Sequence, residues 1–363
     1  MSIVYNTGLD GIRQYVGGRQ KQDAQTLYDG GEPVKMSSNE NPLGVSPVAL
    51  RFAAECLPGS NIYPDSANLE LRTQIAGMFG IGLQNVIVGN GADEVIYYAA
   101  MTVTNDTDEV IIPRITFPIY EIAFRIMRAN IVYSDMKDYC IDLQDVRDRI
   151  TPRTRVVCIC NPNNPTGHAI SRDEIYRFIE GVPQNVLILM DEAYGEFADS
   201  ETFPDTISKL KEGRNNLFIT RTFSKVYGLA GFRVGYGIGD PALIELMNRI
   251  KLPFNIGLAA QRAAVGALQD DEFIARTLSN TGEGRTMIYA ALDGLGLRYI
   301  VSSTNFIFID TGHDGDLVAD ELMKRGVIVR SAKNYGTPTH IRVTVGTRRQ
   351  NRRFTEALAS VLK

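Results

Sequence analysis

The apolar residues of this chain fall in short runs instead of one long stripe. Runs rich in β-branched residues cover Asn85 to Val88, Glu109 to Ile112, Arg155 to Cys160, Val186 to Met190, Leu217 to Thr220 and Val234 to Ile238. Short and continuously apolar, they predict strands buried on both faces. Between several of them the spacing becomes helical, as over Asp93 to Met101 and Ser171 to Glu180. The second of these opens on Ser171 with Glu174 three residues later, the pattern of a capping box. Buried strands alternating with helices predict an α/β fold built on a mostly parallel sheet covered on both sides. Ligands in such folds bind beyond the carboxyl ends of the strands.

From about Asp240 the pattern turns helical, and Pro253 interrupts it. It then passes to strands over Thr304 to Ile309, Val327 to Arg330 and His340 to Val345, with a terminal helix from Arg348. The expected organisation is an N-terminal arm (1–36) packing with the small domain, a large ligand-binding domain (37–250) and a smaller α+β C-terminal domain (251–363). No internal repeat or low-complexity tract interrupts it.

Composition changes this picture little. With 363 residues, 44% hydrophobic and 22% charged, the chain has ample material for a globular core. A net charge of −4 gives no global field suited to nucleic acid or an anionic membrane. The N-terminal segment lacks the apolar core of a secretory signal, and no run of about 18 apolar residues occurs. A cytoplasmic protein without nucleic-acid or membrane partners is therefore expected. Cys56, Cys140, Cys158 and Cys160 form no CxxC pair, and His168, His313 and His340 are scattered. Cys158 and Cys160 lie in a buried-strand pattern, where cysteine acts as a small hydrophobe, so neither a metal site nor thiol catalysis is expected.

Three predicted strands end in tightly specified polar residues. NPNNPTG, Asn161 to Gly167, is a loop held by two prolines and a glycine. DEAY, Asp191 to Tyr194, follows the apolar run VLILM, so its acid either caps a helix or meets a ligand cation. TFSKVYGLAGFRVGYG, Thr222 to Gly237, places Lys225 among small hydroxyl and glycine residues, with Arg233 eight positions on. GNGADE, Gly89 to Glu94, lies at a strand-to-helix junction, where free amides favour an anion or an ordinary cap.

In this order, and with SSNENPLG (Ser37 to Gly44), IYPD (Ile62 to Asp65) and IRVTVGT (Ile341 to Thr347), the chain resembles the fold-type I pyridoxal-phosphate enzymes of the aspartate-aminotransferase superfamily. Within them it is most similar to the histidinol-phosphate aminotransferases, on NENPLG, GNGADE, DEAYGEF, AGFRVGYGI, RVTVGT and the QYVGG of the arm. The resemblance implies pyridoxal 5′-phosphate (PLP) held covalently by Lys225, which also serves as general base. It implies Asp191 at the pyridine nitrogen, Asn164 and Tyr194 at the ring's phenolic oxygen, and Phe117 stacked on the ring. Gly91, Ala92, Asp93, Thr222, Ser224 and Arg233 would hold the phosphate, with Tyr63 contributed by the second subunit of a homodimer.

The same resemblance gives Asn41, Arg330, Arg342 and Tyr15 to the substrate. Two arginines would accept either glutamate's carboxylate or the phosphate of histidinol phosphate, and Tyr15 would close over them. The implied reaction takes histidinol phosphate and 2-oxoglutarate to imidazole acetol phosphate and glutamate, in histidine biosynthesis. Another aminotransferase, on aromatic or other amino acids, or a decarboxylase, lyase or cyclase using the same cofactor is the alternative. A ligand-sensing regulator of this fold would carry a separate helix-turn-helix domain, for which there is no room before Ser37. The chain departs from the pattern at Ile115, where proline is common before Thr116-Phe117, and at Gln350, where glutamate is usual before Asn351.

Overall fold

The structure, a computed structural model, describes residues 3, 6–12, 14 and 17–362. Tyr15 lies outside the described residues. At the centre is a seven-stranded sheet in the spatial order Val86–Gly89, Gly235–Gly239, Leu217–Thr222, Leu187–Asp191, Thr154–Cys160, Glu109–Pro113, Asn130–Ser134. Gly235–Gly239 runs antiparallel to both its neighbours, and the remaining pairs are parallel. The strands alternate their side chains between two cores. Val157, Ile159, Ile188 and Met190 enter one, and Val156, Cys158, Leu187 and Leu189 enter the other. Burial on both faces is why these strands read as continuous apolar runs. Asn130–Ser134 was not expected: it is an edge strand, paired on one side, and most of it is only partly buried.

A second sheet of four antiparallel strands follows the order Arg298–Tyr299, Phe306–Asp310, His340–Thr344, Arg330–Ser331. The single strand expected at Val327 to Arg330 is two. Val327–Ile328 pairs in parallel with Val34–Lys35, whereas Arg330–Ser331 joins the four-stranded sheet. The end of the arm is thus stitched to the small unit, and Met36 is buried in that unit's core. Residues Ala260, Ala263 and Ala264 of the helix Leu258–Ala267 are buried with the large sheet's core. We propose on this basis that the large and small units meet near Asp270 and not at residue 250.

The departure at Gln350 costs the fold nothing. Its Oε1 accepts from the Thr347 N–H (2.8 Å), so the final helix Arg348–Val361 keeps its capping box. Buried Asn351 holds Gly346 through both its N–H (2.7 Å) and its carbonyl (3.0 Å). Ile115 contributes its carbonyl, which accepts from Asn163 Nδ2 at 2.9 Å. Thr116 Oγ1 donates to Asn163 Oδ1 at 2.8 Å, pinning the segment before Phe117 onto the NPNNPTG loop.

Candidate active site

A cavity of about 250 Å³ opens beyond the carboxyl ends of the large sheet and is closed on its far side by the small unit. Lys225, Asp191, Tyr194, Asn164, Phe117, Ala92, Asp93, Thr222, Ser224, Arg233, Arg330 and Arg342 all line it. They come from positions 92 to 342 because the parallel strands deliver their carboxyl ends to one edge, which the small sheet faces with Arg330 and Arg342.

One end of the cavity is built for an anion. The helix Gly91–Val103 begins there, and Asn90 makes no side-chain cap to its first turn. The unpaired amides of a helix start attract negative charge. Two glycines allow the close approach: Gly91 has φ of 80°, and a Cβ on Gly235 would lie 2.2 Å from the Ala92 nitrogen. Arg233, itself left-handed at φ 57°, donates from Nη2 to Asp93 Oδ2 at 3.1 Å. Its Nη1 lies 3.5 Å from Ser224 Oγ. Thr222 Oγ1 accepts from the Ser224 N–H at 3.1 Å, fixing the turn between strand and lysine.

At the centre sits Lys225. Burial, and then the neighbouring Arg342 cation, pull its amine down to about 8. Its Nζ lies 5.5 Å from the Tyr194 ring centre, and no side chain among the described residues forms an ion pair with it. Asp191 is buried, and that burial pushes its carboxyl up to about 6 against the opposing hydrogen bonds of Tyr120 and Ala193. Tyr194 Oη accepts from Asn39 Nδ2 at 2.8 Å, while Asn39 Oδ1 accepts from Thr344 Oγ1 at 3.2 Å. Burial raises the Tyr194 phenol, so it stays protonated near neutral pH.

Arg342 reaches across from the small sheet. Its Nη1 donates to Asn164 Oδ1 at 2.6 Å and its Nη2 to the Ser37 carbonyl at 2.9 Å. Although only 6% exposed, it has no acidic partner among the described residues, and its Nε has no hydrogen bond. Arg330 donates from Nη1 to the Gly17 carbonyl at 2.8 Å, tying the arm to the same wall.

Two expected residues lie elsewhere. Asn41 does not line the cavity: its Nδ2 is spent on the Val226 carbonyl and Thr277 Oγ1, each at 3.0 Å. It braces the loop just past Lys225, and Asn39 of the same SSNENPLG motif faces the site instead. Tyr63 is 79% exposed and stacks on Phe254 with ring centres 4.5 Å apart, and does not line this cavity. The sequence reading also missed Tyr120, whose buried hydroxyl donates to Asp191 Oδ2 at 2.5 Å. Asn39 lay inside a recognised motif, so the signal was there. Tyr120 lay three residues after Phe117, on what reads as an ordinary amphipathic helix.

Comparison with known proteins agrees with this geometry. The family model for aminotransferase class I and II matches residues 32–358. The chain is 40% identical over 351 residues to a histidinol-phosphate aminotransferase of Moorella thermoacetica, covering 97% of this chain and 91% of that one. It is 42% identical over 330 residues to the Akkermansia muciniphila histidinol-phosphate aminotransferase, covering 91% and 90% respectively. The crystal structure of the Sinorhizobium meliloti histidinol-phosphate aminotransferase, a complex with pyridoxal-5′-phosphate, superposes with a TM-score of 0.90 at 23% identity. It covers 99% of this chain and 97% of that one.

Proposed function

This chain belongs to the aminotransferase class I and II family, and on that footing we propose that it is the PLP-dependent transaminase of histidinol phosphate and 2-oxoglutarate. The residues present fit the cofactor. A helix start with Arg233 suits a phosphate dianion, a buried carboxylate suits a pyridinium, and Lys225 offers an amine paired with no acid among the described residues. Bound PLP supplies an electrophilic carbon for amines and a ring that accepts electrons from substrate Cα.

The chain's own groups do the rest. Gly91, Ala92, Asp93, Thr222, Ser224 and Arg233 would hold the phosphate, and Phe117 would cover the ring. Asp191 would keep a proton on the ring nitrogen. Because Tyr194 Oη already accepts from Asn39, its own proton is left to donate to the phenolic oxygen. Asn164 spends Oδ1 on Arg342 and so presents its amide N–H₂ to the same oxygen. Lys225, with its pKa lowered to about 8, has a useful neutral fraction near neutral pH. It would serve as the nucleophile toward the cofactor and then as the base that moves the proton at substrate Cα.

Arg342 carries the substrate reading. A buried guanidinium without an acid partner is costly unless an anion arrives, and it faces the lysine across the cavity. With Arg330 beside it, one cationic wall serves glutamate's carboxylate and the phosphate of histidinol phosphate in turn. Tyr15 would close over that wall. We place Tyr63 in the partner's site of a homodimer, which its exposure supports, and the enzyme in the cytoplasm. Among the described residues no helix is long and apolar enough to cross a membrane.

A half-reaction tests this. Adding histidinol phosphate to the PLP-loaded enzyme should remove the cofactor's visible band and release imidazole acetol phosphate. If that band persists while phenylalanine removes it, the substrate assignment is wrong.

A further inference from the structure

We infer that Tyr120 is a positioning residue for cofactor binding: its hydroxyl aims the Asp191 carboxylate and holds it ionised. This rests on the reading of the site as a PLP site, and goes beyond it by adding a residue from outside the cavity wall. Tyr120 lies in the helix Ile119–Ile126, 71 positions from Asp191, and is fully buried. Its Oη donates to Asp191 Oδ2 at 2.5 Å, a length typical of an O–H donor on a charged carboxylate. The Ala193 N–H takes Oδ1 at 3.0 Å, so each carboxylate oxygen has one fixed donor. The Tyr120 ring is itself held edge-on against Phe117, with centres 5.8 Å apart and planes at 83°. One aromatic pair thus contributes a cover for the cofactor ring and a brace for the acid beneath it.

The surroundings make the brace necessary. The ionisable groups facing Asp191 are Cys158 and Cys160 from the neighbouring strand, Tyr194 from its own loop, Asp93 from the helix start and Tyr120 itself. None of these is a cation, and Asp93 opposes ionisation. Lys225 lines the same cavity but is pulled down by burial. Neutral donors are therefore what offsets the burial of this carboxylate, and Tyr120 makes the shorter of the two hydrogen bonds, 2.5 Å against 3.0 Å. Without it the acid would hold its proton to higher pH and would have to lose it before pairing with a pyridinium.

The test is equilibrium binding of PLP to cofactor-free enzyme across pH 5 to 9, followed by absorbance, for the wild type, Tyr120→Phe, Asp191→Asn and the double variant. Tyr120→Phe should weaken binding at neutral pH by about 10- to 100-fold, the range of a hydrogen bond to a charged group. The fall in affinity on acidification should begin at higher pH, because affinity is lost once the free enzyme's carboxyl is protonated. The Lys225 dependence is common to both proteins and cancels in the comparison. In the Asp191→Asn background, Tyr120→Phe should have little further effect. Unchanged affinity and acid limb in Tyr120→Phe would overturn the inference, and so would a full effect persisting in the Asp191→Asn background. If wild-type enzyme binds no PLP, it is the cofactor reading that fails. Should Tyr120→Phe not fold, the wild type decides by proton NMR. The buried hydroxyl should give a far-downfield resonance that Asp191→Asn removes, and its absence would count against the assignment.

Discussion

Arg330 and Arg342 stand directly opposite one another on adjacent antiparallel strands, and both line the cavity that holds Lys225. Like charges opposed across a sheet repel, and here one of them is buried. The cavity wall they share is cationic and suits an anion. Inorganic phosphate should therefore raise the melting temperature of the wild type more than that of Arg330→Ala or Arg342→Ala. Each substitution should also lower kcat/KM for a phosphorylated or dicarboxylate substrate by about 10- to 100-fold, the worth of a hydrogen bond to a charged group. Steady-state kinetics with both substrates measures this.

Lys225→Ala should leave a folded chain without covalent attachment to PLP. Borohydride treatment followed by mass measurement should then find no cofactor adduct. Turnover should fall by at least about 10³-fold, since nucleophile and base are lost together. Activity at the wild-type level would sink the proposed mechanism.

The rate at which cofactor-free enzyme captures PLP covalently should rise with pH through about 8. The reactive form is the neutral amine, and burial lowers the pKa, so that form appears below the pH at which an ordinary lysine would supply it. Stopped-flow absorbance over a pH series gives the midpoint. A midpoint near that of a free lysine would show that burial and Arg342 do not act on this amine as described.

Gly235→Ala should destabilise the protein by about 1–3 kcal/mol, because the new methyl meets backbone atoms that cannot swing away. The displaced atoms belong to Gly91 and Ala92 at the helix start, so PLP affinity should fall with stability. Denaturant unfolding and PLP titration of the same variant separate the two effects.

Tyr63 gives a prediction about assembly. If it completes the partner's site, Tyr63→Ala and Lys225→Ala subunits, each nearly inactive alone, should regain activity when unfolded together and refolded as mixed dimers. One site in each mixed dimer then has both residues. No recovery, with mixed dimers verified by mass, would place Tyr63 outside the chemistry.

How far the sequence reached depended on how local the determining physics was. Continuous apolar runs marked six of the strands in the large sheet, since burial on both faces leaves a signal within each segment. The edge strand Asn130–Ser134, paired on one side and partly exposed, left no such signal. Val327 to Arg330 read as one strand because its apolar run continues to Val329, yet its two ends hydrogen-bond to different partners. Only the packing of the arm decides that split.

The site divides in the same way. Lys225, Asp191, Asn164 and Arg233 each sit in a constrained motif, so the sequence by itself singled out residues that the fold gathers around one cavity. It named Asn41, whereas Asn39 lines the cavity, because the SSNENPLG backbone turns the two side chains in different directions. Nor could it see that Tyr120 meets Asp191, or that Arg342 arrives buried and without an acid partner among the described residues. Those relations join residues far apart in the chain, and their strength depends on water being excluded between them. Residue type and spacing specify which groups are available; only tertiary packing sets the distance and the dielectric that turn them into a site.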